Sequence, residues 1–373
     1  MQRSILHLGK FYPPHMGGME THLRNLVSGL SGSEDVRVIV AGDSIRGRVD
    51  RIDGAIITRV PTWGVVASMP VTPTLAWELM KVKPALVHVH VPNPGAAFAI
   101  AVAQYRGPLV IMHQSDTLGR KLLKRMSDPF VNAMMRRADR IIVASQRYLN
   151  SSEELVPFKE KCRVIPMGIN IEKERENIGA ECAEVAREHG SRLVLAVGRL
   201  VGYKGFIYLL EAMRMVSATL LLVGTGPLDA ELKRAAQSYG VNHKVKFLGR
   251  VDDLQMYYRA SSVFVLPSIS RAEAYGLVQL EAMAAGLPVI NTDLDTGVPE
   301  VSIDGVTGIT VPPADANSLA LAINVLLEDA ALRQRMGEAG RLRAHREFSP
   351  KLMIERTMKL YEDVLRERGG CAP

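Results

Sequence analysis

The chain has 373 residues, 47% of them apolar and 5% aromatic, with a net charge of +7. That length exceeds what one hydrophobic core usually serves, so two domains are expected, and the apolar fraction excludes a disordered chain. Three cysteines, Cys162, Cys182 and Cys371, are too few and too scattered for a disulfide scaffold or a metal cluster.

The N-terminus runs straight into an apolar segment, and no apolar run approaches the roughly 20 residues of a spanning helix. A cytoplasmic protein is therefore expected. Its positive charge suits an anionic partner, and no nucleic-acid module is visible, which leaves a phosphorylated substrate or an acidic lipid surface.

In chain order, Arg3 to Gly9 ("RSILHLG") is predicted to be a buried parallel strand. It feeds a loop in which Pro13 and Pro14 forbid helix, and Gly17 and Gly18 open a helix near Met19. Strand, glycine loop and helix begin a nucleotide-binding half, although the spacing is not that of a dinucleotide site. A paired glycine serves either close approach of a phosphate or sugar, or simply a turn.

Strands follow at Val36 to Ala41, Ala85 to His90 and Leu109 to His113, with helices between them. Ligands of doubly wound sheets bind beyond the carboxyl ends of strands, where His90 and His113 both stand. His113 is the better candidate because Gln114-Ser115-Asp116 follows it, but a strand-end histidine is equally a structural group. His7 and His88, inside strands, read as satisfied core groups or as groups that support a site from behind.

Arg120, Lys121, Lys124 and Arg125 then share a short amphipathic helix. Asp128-Pro129 reads as the cap and first residue of a second helix. The basic helix is either a contact for an anionic membrane surface or a solvated face over a core.

The charged stretch from Ile171 to Gly190 marks a domain crossing, after which the strand and helix rhythm restarts at Arg192. Two Rossmann-like α/β domains facing each other across a cleft are expected: residues 1–170, completed by a C-terminal helix within 350–373, and residues 171–349. Arg199 and Lys204 lie just beyond the strand "RLVLAVG" and are placed to clamp a diphosphate. "VGTGP" reads as a tight turn more readily than as a phosphate loop. Val251, in "GRVDD", stands where backbone groups can line a base pocket.

The stretch "SISRAEAYGLVQLEAMAAG" organises the rest. Glu273 and Glu281 flank Tyr275-Gly276-Leu277-Val278, read as a loop turning into a helix. Unpaired amides at Gly276, Leu277 and Val278 would face an anion in front of that helix. One glutamate is then free for hexose hydroxyls and the other for a ribose. Taken alone, two such glutamates are as well explained as solvated residues complementing a helix dipole.

Together, "PPHMGGMETH", "VHVHVPNP", "MHQSD", "AVGRLVGYKG", "LLLVGTGP" and "PSISRAEAYGLVQLEAMAAGLPVI" resemble family 4 of the retaining glycosyltransferases, from first strand to last helix. The resemblance implies the GT-B fold. It places the family's two-glutamate signature on Glu273 and Glu281, its phosphate-binding pair on Arg199 and Lys204, its active-site histidine on His113 and its glycine loop on Gly17 and Gly18. Tyr275 stands where many members carry an apolar residue.

"HLGKFYPPHMGGMETHLRNL" and "VPNP" are most similar to bacterial mannosyltransferases of polysaccharide assembly. The resemblance thus implies a nucleotide-sugar donor, GDP-mannose foremost with UDP-sugars as the alternative, and a glycan or polyprenyl-diphosphate-linked acceptor. It implies no metal or other cofactor, and a peripheral membrane contact through the basic helix. A non-catalytic nucleotide-sugar binder is the rival, and its mark would be loss of Glu273, Arg199 or Lys204.

Overall fold

The computed structural model describes residues 3–15, 17–66, 69–116, 121–169 and 178–369, without the side chains of 121–124. The chain divides into two compact units, Met1–Gly168 with Pro350–Pro373, and Ile169–Ser349.

In the first unit an eight-stranded sheet has the order Cys162–Val164, Arg140–Val143, Leu109–His113, Leu86–Val91, Ser4–Leu8, Asp35–Ala41, Ala55–Val60, Arg48–Ile52. All neighbours are parallel except the last two. Every residue of Leu86–Val91 and Leu109–His113 is buried, as expected of strands covered on both faces by crossover helices. The chain winds outward from Ser4–Leu8 on one side and resumes with Leu86–Val91 on the other. The loops after these two strands therefore open at the point where strand order reverses.

Two expectations fail here. Helices alone were expected between Ala41 and Ala85, but Arg48–Ile52 turns at Asp53-Gly54 and returns antiparallel as Ala55–Val60, and a small ribbon of Val65–Val66 with Met69–Pro70 follows. Asp53 and Gly54 have φ of 52° and 81°, the left-handed pair a two-residue hairpin requires. Nor does Asp128-Pro129 separate two helices, because Lys121–Arg137 is one helix with Pro129 inside it. Proline costs a helix one amide donor and crowds the carbonyl four residues back. Pro129 and Arg125 are both exposed, so that carbonyl faces solvent, while Met134 and Met135 bury the inner face.

The last helix, Pro350–Gly369, belongs to the first unit and packs on Gly18–Leu30. Gly29 makes room for the Ile354 side chain at that crossing.

The second unit holds a six-stranded parallel sheet, ordered Val245–Gly249, Thr219–Val223, Leu193–Val197, Val263–Val265, Val289–Thr292, Gly308–Val311. Its order reverses between Leu193–Val197 and Val263–Val265. Helices Phe206–Ala212 and Ala316–Glu328 pack Leu209, Leu210, Ile323 and Leu326 against the sheet's Val194, Leu220 and Ile290. Among the described residues no helix is long and apolar enough to cross a membrane.

Candidate active site

The reversal point of the second unit brings together the loop after Leu193–Val197 and the loop after Val263–Val265. Gly205 has φ +67°, and a Cβ there would run into the Pro267 carbonyl, so glycine alone lets the two loops touch. Gly224, of the "VGTGP" turn, likewise lies against the Gly198 carbonyl. These glycines serve loop packing.

Contact between the loops delivers Lys204 to Glu273. Both are 8% exposed, and Nζ lies 2.5 Å from Oε2. Ser268 Oγ donates to the same oxygen at 3.0 Å. Oε2 is thus doubly engaged, and Oε1 is left for another donor. Arg199, five residues before Lys204, is exposed and has no ion pair among the described residues.

Glu273 leads into the helix Leu277–Ala284, whose cap, Gly276, is left-handed at φ +73°. The turn is held from inside. Buried Gln279 donates to the Tyr275 carbonyl at 2.8 Å and the Val298 carbonyl at 3.2 Å, and its Oε1 accepts from Asn291 Nδ2 at 3.2 Å. Asn291 Nδ2 also donates to the carbonyls of Val298 and Ser302, and its Oδ1 accepts from Thr310. The Gln279 amide closes on the Gly276 carbonyl at 3.0 Å, while the amides of Gly276, Leu277 and Val278 have no partner among the described residues.

One turn in, Glu281 accepts from the Tyr258 hydroxyl at 2.9 Å. Burial pushes the Glu281 carboxyl above its ordinary range, and the Tyr258 bond partly counters it. Burial and the neighbouring carboxyl push Tyr258 well up. Tyr275 is buried, its ring edge-on to Phe348 at 6.5 Å. Val251 lies past Val245–Gly249, where the Gly249 carbonyl accepts from the Gly224 amide at 2.7 Å.

In the first unit, Gly17 and Gly18 are exposed at the start of the helix Gly18–Leu30. Their loop is anchored by buried Arg59, which donates to the carbonyls of Tyr12 (3.3 Å) and Pro13 and pairs with Asp50 at 2.7 Å. His113 ends its strand buried, with Nδ1 3.2 Å from the Tyr148 hydroxyl. That hydroxyl donates to Asp116 Oδ1 at 2.8 Å, so Nδ1 is the nitrogen that carries a proton toward it. Ser152 also donates to Asp116, at 2.5 Å. Nε2 lies 3.5 Å from Glu154 Oε2.

A cavity of about 110 Å³ opens beside His113, with Asn93, Asp128, Asn132 and Glu154 among its lining and Pro92 and Pro94 as a wall. His113, Asp116 and Glu154 each bring one ligand-type atom within 4.8 Å of the others, as do His7, His88 and His90.

The sequence reading brought Glu273, Lys204 and Gly276 to one place, but it assigned Lys204 wholly to a diphosphate and missed its pairing with Glu273. Ser268, Tyr258, Arg59 and Tyr148 carried no sequence signal of comparable strength. His7 and His88 are only half satisfied, since Nδ1 of each is hydrogen-bonded while Nε2 of each is buried with no partner among the described residues. His90 lies with them and not with His113. Of the basic helix, Arg120 and the side chains of Lys121 and Lys124 lie outside the described residues, and Arg125 is exposed.

A model described as Glycosyltransferase Family 4 matches residues 16–173, and one described as Glycosyl transferases group 1 matches residues 180–343. The O-antigen chain mannosyltransferase C of Escherichia coli is 29% identical over 98% of this chain and 99% of its own. The D-rhamnosyltransferase WbpZ of Pseudomonas aeruginosa is 31% identical over 71% and 70%. The GDP-mannose-dependent monoacylated alpha-(1-6)-phosphatidylinositol monomannoside mannosyltransferase of Corynebacterium glutamicum is 26% identical over 98% and 99%. A solved structure of Anabaena HepE in complex with UDP-glucose superposes with a TM-score of 0.82, at 20% identity over 97% of this chain and 100% of that one.

Two Rossmann-like halves of this topology are the GT-B fold, and the family matches make the chain a glycosyltransferase. The chain belongs to glycosyltransferase family 4.

Proposed function

We propose that this enzyme is a retaining glycosyltransferase that moves mannose from GDP-mannose to a glycan or lipid-linked glycan in bacterial cell-surface polysaccharide assembly. The observation that carries the reading is the buried Lys204–Glu273 pair beside a helix start with unpartnered amides. The mannosyl and GDP-mannose activities named for the Escherichia coli and Corynebacterium glutamicum relatives support the donor.

Glu281 receives the ribose hydroxyls, and Val251 and its neighbours line the base. Glu273 Oε1 receives hydroxyls of the transferred sugar, since Oε2 is committed to Lys204 and Ser268. Lys204 keeps ammonium protons for the diphosphate, joined by Arg199 and by the amides of Gly276, Leu277 and Val278. Charge on the diphosphate grows as the glycosidic bond breaks, and donors fixed in place beforehand stabilise that state most. The acceptor oxygen attacks the anomeric carbon from the face the diphosphate leaves, and a leaving phosphate oxygen takes its proton. Configuration is thereby retained. The positive groups named here supply the field, so no divalent metal is needed for turnover.

His113 and the glycine loop at Gly17 and Gly18 serve as sugar-binding groups of the first unit. The cavity beside His113 is walled by the carboxylates of Asp128 and Glu154 and the amides of Asn93 and Asn132, and among the described residues no lysine or arginine lines it, which suits hydroxyls of a neutral sugar.

Peripheral contact with an anionic membrane is part of the same reading. It is supported by the exposed Phe98 and Phe130, edge-to-face at 5.3 Å, beside exposed Met126 and Arg125. Sedimentation with anionic but not neutral vesicles tests it.

The donor is tested by thermal shift and donor hydrolysis with GDP-mannose, GDP, UDP-glucose, UDP-N-acetylglucosamine and UDP, with and without magnesium. Stabilisation by the guanine ligands without magnesium, with slow GDP release, is expected. A response to uridine ligands alone would overturn GDP-mannose.

A further inference from the structure

The proposed chemistry leaves unused four histidines in the core of the first unit. His7 lies on Ser4–Leu8, His88 and His90 on the adjacent strand Leu86–Val91, and His22 on the helix Gly18–Leu30. His7 and His88 are direct register partners, and a spacing of two puts His88 and His90 on one face of the sheet. None of the four is more than 4% exposed.

His7 Nδ1 and His90 Nε2 lie 3.1 Å apart, and one nitrogen from each of His7, His88 and His90 falls within 4.8 Å of the others. Tyr361, on the last helix, places its hydroxyl 2.5 Å from His88 Nδ1. Four ring nitrogens in this one place, Nε2 of His7, Nδ1 of His22, Nε2 of His88 and Nδ1 of His90, have no hydrogen-bond partner among the described residues. Each buried unpaired polar atom costs about 1–3 kcal/mol, and of these four His88 Nε2 is the candidate ligand atom, since His7 and His90 face each other through Nδ1 and Nε2. Neutral imidazole is the form that ligates metals.

We propose that His7, His88 and His90 form a structural site for one transition-metal ion of borderline softness, Zn²⁺ foremost. Three imidazoles without a carboxylate exclude magnesium and calcium, which require oxygen ligands. Bonds of about 2.0–2.1 Å in a tetrahedral arrangement set ligand nitrogens about 3.3 Å apart, close to the His7–His90 separation. The ion takes the place of the hydrogen bond between those two rings. One ring changes tautomer, so that each ligand keeps a proton on its outer nitrogen and none leaves the site. On His88 that proton is Nδ1–H, and Tyr361 is its acceptor, the orienting role that outer partners of ligand histidines play. Metal binding would thereby tie the last helix to the central strands.

The test measures metal per chain in the purified full-length protein by plasma mass spectrometry. The chelator-treated protein is then titrated with Co²⁺, followed by visible absorption and melting temperature. The expected result is one ion per chain, a tetrahedral Co²⁺ band and a higher melting temperature with metal. His90→Gln should abolish the band. Tyr361→Phe, which removes one hydroxyl from a packed ring, should fold and weaken binding about 10- to 100-fold. Absence of both metal and Co²⁺ band in the parent protein would overturn the proposal, as would a band unchanged in both variants.

Discussion

Replacing Lys204 with Met tests the centre of the candidate site. The substitution keeps the length and much of the apolar stem of the side chain but leaves Glu273 charged, with Ser268 as its remaining hydrogen-bond donor, at a position only 8% exposed. Removing one partner of a buried ion pair typically costs about 3–5 kcal/mol, because the other charge stays desolvated and uncompensated. In a unit of this size 1 kcal/mol moves the melting temperature by about 2–4 °C, so a fall on the order of 10 °C is expected.

The double variant Lys204→Met/Glu273→Gln removes both charges and leaves Ser268 an acceptor, and most of the loss should be recovered. Neither variant should turn over donor. Calorimetry that follows the transition raised by GDP reads both effects. A single variant as stable as the parent, or a double variant less stable than the single, would refute the buried-pair reasoning.

Arg199→Ala should leave the melting temperature unchanged, since the side chain is exposed and has no ion pair among the described residues, while steady-state diphosphate release falls about 10²- to 10³-fold. Glu281→Gln should do the opposite to the free protein. A carboxyl whose folded pKa is raised contributes stability that is complete below its unfolded pKa and lost as pH rises through the folded one. The neutral side chain should therefore raise the melting temperature at pH 8 but not near pH 3. It should weaken nucleoside diphosphate binding about tenfold or more by calorimetric titration. Gly276→Ala forces an L side chain to φ +73° with its Cβ 2.6 Å from Leu266 Cδ2. A cost of about 1–2 kcal/mol from the left-handed backbone alone should appear in urea melts, together with a weaker nucleotide shift.

The two α/β halves were legible because their central strands are short, mostly apolar runs ending in glycine or a polar loop, a pattern that a sheet covered on both faces leaves in sequence. The hairpin at Asp53-Gly54 carried its own signal, which the surrounding alternation of strands and helices masked. Pro129 misled because proline marks a helix start in most settings, and what it costs inside a helix depends on which side faces solvent. At the site, the signature around Gly276 showed where the helix begins. The pairing of Lys204 with Glu273 depends on which loops the sheet's reversal point brings together, and local spacing does not encode strand order. The same holds for Tyr258 on Glu281 and Tyr148 on His113. The histidine cluster was half legible: spacing puts His88 and His90 on one face, whereas His7 joins them only through the register of two strands.

Retaining transfer from GDP-mannose is tested most directly by a time course of that donor with the full chain and no added magnesium, followed by proton NMR. GDP is expected to appear together with mannose whose first-formed anomer keeps the donor's configuration. No cleavage of GDP-mannose while a uridine donor is cleaved, or first-formed mannose of inverted configuration, would contradict it.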